Sequence, residues 1–223
     1  MHLLKQSLIH KIIVLGLSFG LSLSVFAEDL DGCTDSLDIC LDSAEIIYGD
    51  YNLETTQTLA MQGDVKAQRD LGYNYKYGFT VDKDSVKAFE WLEKAAYQGD
   101  ADAQYGLAFI YFSGEGVSKD INKAMQWLLK SAHQGYAPAQ SYLAKIYFTG
   151  RADRAGLEDY TKAAEWATKA ALQEDESSQR LLAMLYKHGF GVRQNTAIAR
   201  EWFGKSCDNG SEYSCKEYKR LSN

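Results

Sequence analysis

Catalysis needs ionisable or nucleophilic side chains at fixed spacing, and this sequence is poor in such sets. Of four histidines, two lie at the extreme N-terminus, and His133 and His188 stand alone. Neither sits in the H-E-x-x-H pair of a zinc site, and there is no G-x-S-x-G nucleophile turn and no Walker loop. The turns Gly114-Glu115-Gly116 and Gly189-Phe190-Gly191 lack the lysine–serine pair that a phosphate cradle requires. Carboxylates are plentiful but fall at helix starts and solvated positions. The expectation is a protein with no catalytic residue, no metal and no cofactor.

Four cysteines remain: Cys33, Cys40, Cys207 and Cys215. Their spacings, C-x6-C and C-x7-C, have no histidine nearby and do not suit zinc. Residues 1–27 read as a secretion leader, so an oxidising compartment and two disulfides follow. Lys5, His10 and Lys11 form the basic start, Ile12 to Leu23 the apolar run, and Val25-Phe26-Ala27 the cleavage site. The run is short for a membrane span of about 20 residues. Glu28 rather than cysteine follows it, which argues against a lipid anchor. Three connectivities are open to four cysteines; the local pairs Cys33–Cys40 and Cys207–Cys215 are favoured.

The net charge is −6, and removal of a leader holding Lys5 and Lys11 makes the mature chain more acidic still. Nucleic acid and anionic membrane are poor partners for such a chain, which has no basic block. A single proline, with abundant Ala, Leu, Glu and Lys, favours helix.

What organises those helices is repetition. Shifting the sequence by 36 residues carries Ala60, Gly63, Ala67, Leu71, Tyr75, Gly78, Asp84, Ala88 and Trp91 onto Ala96, Gly99, Ala103, Leu107, Tyr111, Gly114, Asp120, Ala124 and Trp127. A second shift reaches Ala132, Gly135, Ala139, Leu143, Tyr147 and Gly150; after three extra residues the register resumes at Asp159, Ala163 and Trp166. The fourth copy gives Ala171, Ser178, Leu182, Tyr186, Gly189, Asn195, Ala199 and Trp202. A period of this length marks a solenoid. Each unit reads as helix, glycine-ended loop, helix, with Asp84, Asp120, Asp159 and Asn195 as N-caps of the second helices. The expected division is a leader at 1–27, a cap with a partial repeat at 28–59, repeats at 60–95, 96–131, 132–170 and 171–206, and a capping helix at 207–223.

Residues fixed in every unit, such as Tyr75 and Trp91, serve packing, because a lone helix pair cannot bury both of its faces. Residues that vary within the frame are free to specify a partner. On the first helices these are Tyr73, Phe109, Lys145 and Met184, beside a second row of Arg69, Tyr105, Ser141 and Arg180, and a third holding Gly106 and Tyr142. Exposed aromatics anchor protein partners well; the plain alternative is that half of these are core. The longer third loop, with Arg151, Arg154 and Glu158, is a second candidate contact.

The pattern A-x-x-G-x-x-x-A-x-x-x-L-G-x-x-Y-x-x-G followed by D-x-x-K-A-x-x-W-x-x-K-A-A resembles the Sel1-like repeat, a relative of the tetratricopeptide repeat. The resemblance implies an all-α, right-handed α/α solenoid. Two departures stand out: Glu174 replaces the turn glycine of the fourth unit, and Arg151 to Glu158 lengthen the third loop. Residues 204–218 resemble the cysteine-bearing version of the repeat in secreted bacterial proteins, which implies that a Cys207–Cys215 bond ties a last helix, about 211–221, to the array. Cys207 stands in the slot of Ala171, and Cys215 in that of Gln179.

The resemblance further implies a non-catalytic protein-binding role in the periplasm or outside the cell: an envelope adaptor, a host-contact factor, or an immunity protein blocking an effector. An acidic chain suits a basic effector or an envelope protein as partner. Cysteine-rich relatives have also been discussed as β-lactam binders or hydrolases, but S-x-x-K, S-D-N and K-T-G are all missing. Export predicts that protein recovered from the periplasm or medium begins at Glu28 on N-terminal sequencing. A membrane-bound chain retaining Met1 would show an uncleaved anchor instead.

Overall fold

A computed structural model of the chain describes residues 52–150 and 158–222. The leader, the proposed Cys33–Cys40 pair, Arg151 and Arg154 lie outside the described residues. Within them the chain forms ten helices and no strand: α1 (Leu53–Met61), α2 (Val65–Tyr77), α3 (Ser85–Tyr97), α4 (Ala101–Ser113), α5 (Ile121–His133), α6 (Ala137–Thr149), α7 (Tyr160–Ala171), α8 (Glu176–His188), α9 (Thr196–Asp208) and α10 (Glu212–Arg220). Pairs α2–α3, α4–α5, α6–α7 and α8–α9 are the four repeats. α1 packs against α2, and α10 packs against α9.

The helix ends follow the residues that the repeat places there. Asp84, Asp120, Asp159 and Asn195 cap α3, α5, α7 and α9 through side-chain acceptors to Lys87, Lys123, Lys162 and Ile198 backbone amides. Each first helix ends on a glycine with positive φ: Gly78, Gly114, Gly150 and Gly189. Glu174 takes φ 67° where its counterparts are glycines, a conformation that costs a residue with a Cβ. Gly191 has a second reason. A Cβ there would lie 2.1 Å from the Tyr160 carbonyl carbon, so only glycine lets the loop rest on the start of α7.

The core is built from small and large residues in alternation. Ala88, Ala124, Ala163 and Ala199, with Leu71, Leu107, Leu143 and Leu182, are shut off from solvent. Trp127 and Trp166 are buried in the middle of the array, whereas Trp91 and Trp202, nearer its ends, are half-buried. The Tyr97 ring meets Trp127 edge-on at 5.1 Å, and His133 meets Trp166 at 5.2 Å. On each tryptophan lies the lysine three positions on: Lys94, Lys130, Lys169 and Lys205, 3.9 to 4.3 Å from the ring centre. His133 thus packs against a neighbouring unit.

A ladder of amides joins the units. Gln68, Gln104, Gln140 and Gln179, all buried, donate to the carbonyls of Ala60, Ala96, Ala132 and Ala171, eight residues back. Each then accepts from the side chain at the end of its own unit's second helix, Gln98, Gln134, Gln173 or Asn209, at 2.7 to 3.0 Å. At the C-terminal end the Cys207–Cys215 disulfide replaces this rung, spanning the same eight residues with Cα atoms 4.6 Å apart. α10 is also held by Lys187, whose Nζ reaches Glu217 at 2.6 Å, and by the Ser206, Ser211 and Ser214 hydroxyl cluster.

Replacing Cys207 and Cys215 with serine is expected to lower unfolding free energy by about 2 kcal/mol, the low end for a short closed loop. Urea denaturation of the oxidised chain and the double variant measures it; equal midpoints would mean that α10 needs no covalent tie.

Candidate functional site

The first helices of successive repeats lie side by side and make one continuous wall. Tyr73 on α2 donates to Asp102 on α4, Phe109 on α4 meets Tyr142 on α6, and Ser141 on α6 donates to Asp175 at the start of α8. The variable positions of these helices therefore share a face.

Part of that face is a cluster of rings. Tyr105 lies 4.8 Å from Phe109 and 5.5 Å from Tyr136; Phe109 lies 4.7 Å from Tyr142 and 6.2 Å from Phe112. Tyr73 stacks on Tyr77 at 6.0 Å. Lys76 spans the gap between α2 and α4, its ammonium over Tyr73, Tyr77 and Phe109. All these rings keep some surface in solvent. Gly106 makes the arrangement possible: a Cβ there would stand 2.8 Å from the Tyr73 hydroxyl oxygen.

Of the residues singled out from sequence, Tyr73, Tyr105, Phe109 and Tyr142 come together. Lys145 is exposed one turn beyond Tyr142. Met184 is half-buried against the main core, and Arg180 lies 3.9 Å from Glu176; both continue the wall on α8 outside the ring cluster. Ser141 is buried. Arg69 is the hub of an ion cluster, 2.9 Å from Asp70, 3.4 Å from Asp100 and 3.8 Å from Asp102.

Sequence reasoning missed Tyr136. Its slot, the N-cap of a first helix, holds Asp64, Asp100 and Asp175 in the other units, each accepting a backbone amide. Tyr136 makes no such bond. Its ring joins the aromatic cluster, and its hydroxyl donates to Asp102 at 2.9 Å, beside the 2.6 Å bond from Tyr73. The signal was present as an aromatic at a position where every sister repeat has aspartate.

Burial, followed by the Asp102 charge and hydrogen bond, pushes the Tyr73 and Tyr136 phenols well up. Burial first, then neighbouring Tyr142, raises Tyr105 to about 12. Partial burial works against the Arg69 charge, but its three aspartates outweigh it and its pKa rises. At physiological pH these phenols are neutral donors and the guanidinium is charged, a chemistry of stacking and hydrogen bonding. His188 lies elsewhere, stacked on Phe190 at 5.6 Å, which stacks on Tyr160 at 5.1 Å.

Repeat, fold and wall together define an α/α solenoid of the interaction-scaffold type. The family model described as Sel1 repeat matches residues 65–100, 101–136, 137–175 and 177–211, about two-thirds of the chain, and the chain belongs to the Sel1 repeat family. Repeats of this family generally mediate protein–protein interaction and are typically non-catalytic. Among solved structures, the chain is similar to c5321, a protective antigen of uropathogenic Escherichia coli with an SLR fold, at 36% identity and a TM-score of 0.69, over 74% of this chain and 35% of that one. It is similar to a Sel1 repeat protein from Oxalobacter formigenes at 31% identity and a TM-score of 0.70, over 74% of this chain and 47% of that one. The chain thus spans a third to a half of the length of these relatives. No curated protein matches it.

Because its folded pKa lies above the ordinary value of 10.0, Tyr105 contributes stability that is complete below pH 10 and is lost as pH climbs toward about 12. Urea midpoints on either side of pH 10 should fall less steeply for Tyr105→Phe than for the unsubstituted chain; parallel slopes would mean that Tyr105 titrates normally.

Proposed function

We propose that this chain is an exported, non-catalytic protein-binding scaffold that holds its partner against the Tyr73, Tyr105, Phe109 and Tyr142 face. In the cell envelope it serves as an adaptor or as an immunity or inhibitor protein. Tyr136 carries the reading. It forgoes a cap bond worth about 1 kcal/mol that the other first helices keep, and completes a half-exposed aromatic surface instead. Packing alone gives no reason for that exchange in one unit only. Tyrosine and phenylalanine supply large contact area at small entropic cost, which suits binding anchors.

Export is supported by the basic-apolar start of the sequence and by the Cys207–Cys215 bond, which suits an oxidising compartment. A host-contact role is a second reading, favoured by the 36% identity to a protective antigen.

Cross-linking and affinity capture from the native envelope are expected to recover one stoichiometric partner. Tyr105→Ala with Phe109→Ala should remove it while leaving the helical circular dichroism intact. A partner retained by that variant would place binding on another surface, and no partner at all would sink the scaffold reading.

A further inference from the structure

The aromatic face carries both signs of charge, and its acids and Arg69 are satisfied within it. Asp102 accepts from Tyr73 and Tyr136 and faces Arg69. Asp70 and Asp100 hold the same guanidinium. Asp175 accepts from the Ser141 hydroxyl at 2.9 Å and the Ser178 amide at 2.7 Å. Among the described residues, the lysines of the face have no such partners. Lys76 has its ammonium 5.0 to 6.0 Å from three ring centres and no carboxylate within ion-pairing distance. Lys145, exposed beyond Tyr142, has none either. The Tyr105 hydroxyl has no hydrogen-bond partner there, and it stays protonated at neutral pH, so it keeps a proton to donate to an incoming acceptor.

The Lys76 ammonium, on a half-buried side chain, has only the ring quadrupoles to face it. A carboxylate brought beside it, with an apolar side chain laid on the rings, would complete both requirements. From this charge complementarity we propose that the face takes an acidic peptide segment of a partner protein, in which Asp or Glu flanks a large apolar side chain. The proposal rests on the reading of this face as a protein-docking surface. It runs against the net charge of −6, which by itself suits a basic partner. Charges farther off than about 8–10 Å are screened at physiological salt, so the local lysines decide.

The test uses the full oxidised chain. Random peptides displayed on phage are selected on it and counter-selected on the Tyr105→Ala, Phe109→Ala variant, and the best binders are measured by fluorescence anisotropy. Selected peptides should place Asp or Glu beside Phe, Trp, Leu or Ile. Lys76→Glu should weaken them about tenfold, as for a charged hydrogen bond. Lys145→Glu, at an exposed site that tolerates change, should weaken them only a few-fold, and the double variant should prefer peptides in which lysine replaces the acid. Selection of basic peptides, or affinity that neither substitution alters, would overturn the acidic partner while leaving the docking surface standing. If no peptide distinguishes the chain from its Tyr105→Ala, Phe109→Ala variant, the proposal falls; the docking reading falls with it only if envelope capture is equally indifferent to that variant.

Discussion

The carbonyl near the end of each second helix is the constraint on which the array depends. It lies where the next first helix folds back, and its oxygen already accepts the turn amide of Gly63, Gly99, Gly135 or Glu174 at 3.0 to 3.2 Å. A carbonyl oxygen has a second lone pair, and a solenoid offers it in every unit. Gln68, Gln104, Gln140 and Gln179 donate to it from the next first helix, and their own oxygens accept in turn from Gln98, Gln134, Gln173 and Asn209. The amides therefore tie each unit to the one before it as well as closing it. Where the array ends, a covalent bond between Cys207 and Cys215 takes over the same eight-residue span.

Once the second helices and turns are fixed in this way, the first helices are free to vary on their outer wall. The chain uses that freedom unevenly. Aromatic rings gather on α2, α4 and α6, while α8 carries Arg180 and Met184 and a cross-link to α10 through Lys187 and Glu217. Gly106 removes a side chain so that Tyr73 can lie across α4, and Tyr136 abandons the cap to reach Asp102. These are two local concessions in neighbouring units, and both enlarge one surface. Asp102 links them: it shares Arg69 with Asp70 and Asp100 and holds two phenols in place, so those two rings are pre-ordered before anything binds, which lowers the entropy lost on association.

Electrostatics at that surface differ from those of the whole chain. Summed charge describes solubility and long-range steering, whereas recognition depends on which groups remain unsatisfied within contact distance. The acids of the face are engaged internally, and the lysines are not. An acidic chain can in this way present a locally cation-tipped aromatic wall.

Much of this was legible in the sequence. A 36-residue period, glycines at the ends of first helices, Asp or Asn at the starts of second helices and the Ala/Leu/Trp frame determined the helix–loop–helix form of the repeats and where their first helices end and second helices begin, because capping and periodic burial act over a few residues. The Cys207–Cys215 pair was legible too, from its closeness in sequence and the resemblance to cysteine-bearing repeats. Tertiary structure alone decided which variable residues meet. Tyr73, Tyr105, Phe109 and Tyr142 come from three units; Phe109 meets Tyr142, and Tyr73 reaches Asp102, only because stacking brings α2, α4 and α6 together, whereas Lys145 and Met184, in the same repeat slot as Tyr73 and Phe109, make no ring contact with them. It also decided the roles of Gln104 and Tyr136. A glutamine's partner 30 residues away, and a tyrosine hydroxyl's acceptor 34 residues away, depend on the distance between helices rather than on the order of residues along one.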